Sequence, residues 1–158
     1  MCLRLLTVRA RTRAELYEAL TARGVPEPAS TKVLDRLAEV GLVDDRAFAD
    51  AYVLSRRRDR GLAVREIGRQ LRDKGVDEPV IAAAVSGIGA DAEAEVARHL
   101  VLTKLRSMTR LTSEVKTRRL VGMLARKGYP PSMAFQIVRE AVGASADDSG
   151  SDQTAWLA

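Results

Sequence analysis

Few side chains in this sequence are able to do covalent or metal chemistry: it holds one histidine, His99, and one cysteine, Cys2. A zinc site usually takes four protein ligands or three plus water, and a nucleophile needs a base within hydrogen-bond reach, so a lone His and a distant Cys supply neither. Asp44-Asp45 has the form of a carboxylate pair, but it follows Gly41 at the start of a helical pattern, where N-capping and the helix dipole account for both acids. The glycines form neither a G-x-x-x-x-G-K-S/T loop nor a strand-to-helix G-x-G-x-x-G, so no phosphate cradle is written into the chain. Gly87-Ile88-Gly89 reads as a helix stop. The expectation is a protein that is not an enzyme, with no catalytic residue, cofactor or metal.

Ionic chemistry is where the sequence is rich. Arg56, Arg57, Arg58 and Arg60 crowd the end of one helical segment. Cations at a helix C-terminus gain about 0.3 to 1 kcal/mol each, which accounts for part of that cluster and leaves a solvated end and contact with an anionic partner as equal readings. Arg65, Arg69 and Arg72 fall at i, i+4 and i+7, a ridge about 100° round the helix from Val64, Ile67 and Leu71. Arg119 and Arg126 share a flank of a later helix, with Lys116, Arg118 and Lys127 near them. The net charge is +5, but residues 143–158 contribute three acids and no base, so residues 1–142 carry 26 bases against 18 acids. A basic body of this kind implies an acidic partner: nucleic acid, an acidic protein surface, or both. Binding to DNA through phosphates would be weak, non-specific and salt-dependent. Sequence reading by base stacking is not supported, because the six aromatics (Tyr17, Phe48, Tyr52, Tyr129, Phe135, Trp156) are scattered, and Phe48 with Tyr52 reads as core or inter-helix packing.

The elements that must carry these cations are repeated. Arg23-Gly24-Val25 returns as Lys74-Gly75-Val76 and as Lys127-Gly128-Tyr129, at intervals of 51 and 53 residues. Before each glycine stands an apolar stripe at helical spacing: Leu16 and Leu20, Ile67 and Leu71, Leu120 and Leu124. After it comes a second stripe: Val33, Leu34 and Leu37, then Ala84, Val85 and Ile88, then Ile137, Val138 and Ala141. Glycine between two such stripes predicts a left-handed C-cap, and Pro26, Pro28, Pro79, Pro130 and Pro131 suit first helical turns. Each unit is therefore expected to hold helix A (2–9, 44–58, 91–106), helix B (12–23, 63–74, 113–127) and helix C (27–40, 78–88, 131–142). Thr12 with Glu15 has capping-box spacing, Gly41 can close one helix, and Asp44 can open the next.

The resulting fold class is all-α, an elongated array of three tandem three-helix repeats: unit 1 at 1–40, unit 2 at 41–89, unit 3 at 90–142. Such units bury their apolar faces only by stacking on neighbours. The first helix A reads as truncated at its start, and 143–158 reads as an acidic tail without fixed structure, with Trp156-Leu157 as a frayed end. With 46% apolar residues in 158 the chain can bury a core. It has no apolar run of membrane-spanning length and no signal-peptide pattern, and a single cysteine excludes an internal disulfide framework. A cytoplasmic monomer is the expectation.

The stretch Gly41-Leu42-Val43-Asp44-Asp45-Arg46-Ala47-Phe48-Ala49-Asp50-Ala51-Tyr52-Val53, followed by Ser55-Arg56, closely resembles the signature of the RecX family, bacterial regulators of the RecA recombinase. Gly61, Ile67, Leu71 and Lys74-Gly75-Val76 resemble the family's middle repeat, and Leu124 with Arg126-Lys127-Gly128-Tyr129 its closing repeat, where Phe is more usual than Tyr129. The resemblance covers about residues 2–142. It implies a non-enzymatic protein that binds the RecA filament on DNA along its helical groove and suppresses ATP hydrolysis, strand exchange and co-protease activity, in homologous recombination, DNA repair and the SOS response. The contact residues expected from the basic clusters are Arg56, Arg57, Arg58, Arg60, Arg65, Arg69, Arg72, Lys116, Arg118, Arg119, Arg126 and Lys127, with Arg56, Arg57, Arg58, Arg65, Arg69 and Arg72 central. The alternative is a stand-alone, non-specific DNA-binding protein that competes for single strands.

Overall fold

The computed structural model describes residues 1–151, with side chains through Asp148, and contains nine helices and no strand among the described residues. They fall into three triplets. The first is α1 (Cys2–Val8), α2 (Arg13–Thr21) and α3 (Glu27–Glu39); the second is α4 (Asp45–Arg60), α5 (Val64–Asp73) and α6 (Glu78–Val85); the third is α7 (Ala90–Leu105), α8 (Ser113–Arg126) and α9 (Pro131–Ser151).

The glycine turns have one geometry three times over. Val25 N–H donates to Leu20 O at 3.2 Å, Val76 N–H to Leu71 O at 3.0 Å, and Tyr129 N–H to Leu124 O at 3.1 Å, and each glycine N–H donates three residues back. This is the Schellman closure, which consumes the last free carbonyls of the helix and needs a positive φ at the glycine. At Gly75 and Gly128, with φ of 73° and 92°, space is a second reason for glycine: an added Cβ would overlap Ala14 at the first and come within 2.6 Å of the Glu66 side chain at the second.

Those two close approaches are one docking device used twice. The Lys74-Gly75 turn seats on the start of α2: Thr12 Oγ1 donates to Lys74 O at 2.7 Å and accepts from Glu15 N–H at 3.1 Å, while Lys74 Nζ reaches Glu15 Oε1 at 2.9 Å. The Lys127-Gly128 turn seats on the start of α5: Ala63 N–H donates to Lys127 O at 3.0 Å, Lys127 Nζ to Arg60 O at 2.6 Å, and the buried Tyr129 hydroxyl to Gly61 O at 2.7 Å. The sequence interval of 51 residues thus reappears as contact between successive triplets, with Glu15 and Glu66 in equivalent places.

Contact density divides the chain into two compact units, Met1–Arg58 with Ile67–Gly87, and Asp59–Glu66 with Ile88 onward. In the first, Cys2, Leu16, Leu20, Leu34, Leu37 and Val43 form a buried cluster. In the second, Val101, Leu120, Leu124, Ile137, Val138 and Val142 do so. Each fully buried aliphatic side chain contributes about 1.5–3 kcal/mol, so the stripe residues of helix B are the main anchors of both units.

Four local expectations are corrected. Val33 is 42% exposed, since α3 turns Leu34 and Leu37 inward instead. In α6 the buried anchor is Ile81, one turn before the expected Ala84, Val85 and Ile88, because the helix stops at Val85. Asp44 Oδ1 caps α4 by accepting from Ala47 N–H at 3.0 Å, but Asp45 Oδ1 accepts from Arg13 N–H at 2.9 Å and so satisfies the start of α2. Helix α9 continues through the stretch 143–151, where Ala144 and Ala146 favour helix, whereas that stretch reads as unstructured in the sequence. Trp156-Leu157 lies outside the described residues.

Candidate interaction surfaces

The arginines expected to lead contact divide sharply by what surrounds them. On α5, Arg69 pairs with Asp73 at 2.8 Å, and Arg72 holds Glu78 with two parallel bonds of 2.7 and 2.8 Å. The hydrogen bond from Arg72 draws the Glu78 carboxyl below its usual range and raises the Arg72 guanidinium in return. Both pairs are exposed, a setting in which ion pairs contribute little stability but still cancel local field. Arg65 is exposed on the same helix.

Helix α4 distributes its arginines differently. Arg56 lies over the Tyr52 ring at 4.6 Å, Arg57 is half-buried, and Arg58 and Arg60 are exposed, with the Arg60 carbonyl taken by Lys127. Lys127 is thereby a structural donor at a turn. Phe48 and Tyr52, which read as core or inter-helix packing in the sequence, stack on one another at 5.7 Å and line an open groove beside α4.

Another set of cations builds structure outright. Glu15 receives Arg9 at 3.1 Å, Lys74 at 2.9 Å and the Thr12 N–H at 3.2 Å. Burial pushes this carboxyl up, but the hydrogen bonds from Arg9, Lys74 and Thr12 together outweigh it and hold it at about 2. Arg9 and Lys74 are committed to that carboxylate.

The second unit presents the opposite arrangement. A concavity of about 750 Å³ between α7 and α8 is lined by Lys104, Arg118, Arg119 and Arg126, with Ser107, Met108 and Leu111 among the rest. No carboxylate lines it, and none of these four cations makes an ion pair among the described residues. Arg118, Arg119 and Arg126 were legible in the sequence; Lys104 was not. It sits in the last turn of α7, where a lysine reads as a partner for the helix dipole. Lys116 is half-buried and is not among the lining residues. Four like charges around one hollow repel each other, and an anion entering it relieves that repulsion. Guanidinium forks suit phosphate and carboxylate oxygens equally.

Sequence patterns describing the first, second and third three-helix domains of RecX match residues 1–37, 44–85 and 91–138. The Regulatory protein RecX of Streptomyces coelicolor is 50% identical over 149 residues, covering 94% of this chain and 79% of its own. That of Mycolicibacterium smegmatis is 53% identical over 143 residues, covering 87% and 76%. The crystal structure of RecX from Lactobacillus salivarius shares the fold, with a TM-score of 0.76 at 20% identity over 88% of this chain and 90% of that one. With its three three-helix domains and these relatives, the chain belongs to the RecX family of regulatory proteins.

Proposed function

We propose that this protein is a negative regulator of RecA-mediated recombination, binding the RecA–DNA filament and lowering its ATPase, strand-exchange and co-protease activities without making or breaking covalent bonds. The observation that carries this reading is the acid-free concavity of Lys104, Arg118, Arg119 and Arg126, found in a chain of the RecX family. A filament offers such a surface both nucleic-acid phosphates and protein carboxylates. Binding restrains the hydrolysis cycle of neighbouring protomers, so inhibition should exceed what removal of free DNA produces. The remaining expected contacts are Arg60, Arg65 and Lys116 in the same unit as the concavity and Arg56, Arg57, Arg58, Arg69 and Arg72 in the first, where Arg69 and Arg72 are weakened by their own carboxylates.

The test is titration of the purified protein into a DNA-dependent RecA ATPase assay at two salt concentrations, with DNA limiting and then saturating. Inhibition that persists at saturating DNA and with fewer regulators than recombinase supports filament binding. Inhibition that disappears when DNA is in excess points to the second reading, simple competition for single strands. The same concavity favours that alternative, since four unpaired cations suffice for phosphate contact.

A further inference from the structure

The groove beside α4 has a chemistry unlike that of the α7–α8 concavity. It encloses about 620 Å³ within the first unit. Its floor is apolar and open: Ala47 and Ala51, one turn apart on α4, are exposed, Leu42 is 50% exposed, and Phe48 is half-buried. A pair of alanines one turn apart beside larger side chains makes a notch of the size that receives one bulky side chain.

The rim is selectively basic. Of the four cations that line the groove, Arg9 and Lys74 are taken by Glu15. Arg11 and Arg56 each retain a buried Nε with no hydrogen-bond acceptor among the described residues. A buried donor left without a partner is costly, and a carboxylate that reached it would form a charge-assisted bond. The Arg56 guanidinium lies over the Tyr52 ring at 4.6 Å, a cation–π contact that fixes its position in the groove wall.

Nucleic acid fits this groove poorly. Phe48 stacks on Tyr52, Arg56 and Lys74 lie over the Tyr52 ring at 4.6 and 5.8 Å, and its hydroxyl donates to Gln70 at 2.8 Å. The ring is therefore already engaged by the protein before any base arrives.

We propose that the α4 groove is a docking site for an acidic protein segment, one that seats a single large apolar side chain in the Ala47–Ala51 notch and places an adjacent carboxylate against Arg11 and Arg56. The protein then has two recognition surfaces of different kinds: a hollow for polyanions on α7–α8 and a side-chain socket on α4. The socket is independent of the filament-binding reading.

The test is an NMR titration of the isotope-labelled full chain with the synthetic peptide Asp-Leu-Phe-Asp, its amide counterpart Asn-Leu-Phe-Asn, and hexathymidylate. The acidic peptide should shift the Arg11 and Arg56 Nε–H signals and the Phe48 ring signals. The amide peptide should bind at least about tenfold more weakly, the lower end of the effect one charge-assisted hydrogen bond gives. Ala51→Trp, which fills the notch from an exposed helix position, should abolish the shifts while leaving the rest of the spectrum in place; Ala47→Trp serves where the first variant fails to fold. Groove signals that stay still with the acidic peptide, that shift equally with the amide peptide, or that respond to hexathymidylate in its place each overturn the proposal.

Discussion

Although the central contacts are expected on α4 and α5, helical spacing alone does not separate the arginines of α5 from those of α8. Their surroundings do. On α5 the carboxylates of Asp73 and Glu78 lie against Arg69 and Arg72, so that face presents little net charge. The hollow formed by α8 with α7 gathers Lys104, Arg118, Arg119 and Arg126 with no acid among them. A field that draws a polyanion comes from uncompensated charge, so counting arginines overstates the first face and understates the second. The cations of the Glu15 cluster sit further along the same scale: Lys74 ties the α5 turn to α2, and Arg9 ties the end of α1 to it.

The largest effect should come from reversing Arg118, Arg119 and Arg126 to Glu. Affinity for oligo(dT) should fall by roughly two orders of magnitude at low salt, and the slope of log affinity against log salt should flatten by roughly two to three, at roughly 0.7 to 0.9 per phosphate contact. The thermal midpoint should hold, because all three side chains are exposed and none is in an ion pair among the described residues. Fluorescence anisotropy and a melting curve measure both. A variant that melts early and binds as before would reverse the ranking of the two faces.

Next in size is Glu15→Gln, which keeps the shape of the carboxyl but removes its charge from between Arg9 and Lys74. The loss of charge-assisted hydrogen bonds should cost about 1–3 kcal/mol in urea unfolding at neutral pH, with oligo(dT) affinity unchanged. The sign of its pH dependence follows from the lowered value. A carboxyl at about 2 when folded, against 4.5 as its ordinary value, adds stability that is fully present above about pH 4.5 and is lost as pH falls toward 2. Wild type and variant should therefore converge over that acid window. Parallel curves down to pH 2 would show that the cluster is spent on something other than stability.

These contrasts mark where sequence reading succeeds and stops. The three triplets, the glycine turns and the Thr12–Glu15 capping box are local, set by residues within a turn or two of each other, and each was legible as a spacing. Leu16, Ile67, Leu71, Leu120 and Leu124 are fully buried as their stripes required. The clamp of Lys74 on Glu15 joins residues 59 apart, and only the repeat register, which aligns Glu15 with Glu66, hinted at it. The masking of Arg69 by Asp73 was visible in principle as an i, i+4 pair, whereas the Arg72–Glu78 pair spans the glycine turn and depends on its geometry. Lys104 joins the α8 hollow only because α7 packs beside α8, a tertiary fact. The continuation of α9 past Gly143 was missed because acids and serines there outweighed the alanines in a reading by composition.

A smaller loss should follow reversal of Arg65, Arg69 and Arg72 to Glu: less than about tenfold in oligo(dT) affinity, with a salt slope changed by less than about one. Two of the three charges are already cancelled in the native protein, so their removal takes away little field. If this variant matched the α8 variant in either measure, local pairing would not be what separates the two helices.

The finest discrimination is gained by unmasking instead of removing. Asp73→Asn with Glu78→Gln leaves Arg69 and Arg72 in place and deletes only the charges that oppose them. Oligo(dT) affinity should then rise a few-fold at low salt and return to the wild-type value at high salt, since the gain is one of exposed charge, which salt screens. Lowering the pH is a poor substitute for the mutations, because Arg72 holds the Glu78 carboxyl below its ordinary value of 4.5, so that pair persists further into acid. An unchanged affinity in the unmasked variant would mean that α5 faces away from nucleic acid altogether. Its carboxylates would then be a solvated surface pattern, and the difference between the two helices would be one of position on the partner, not of available charge.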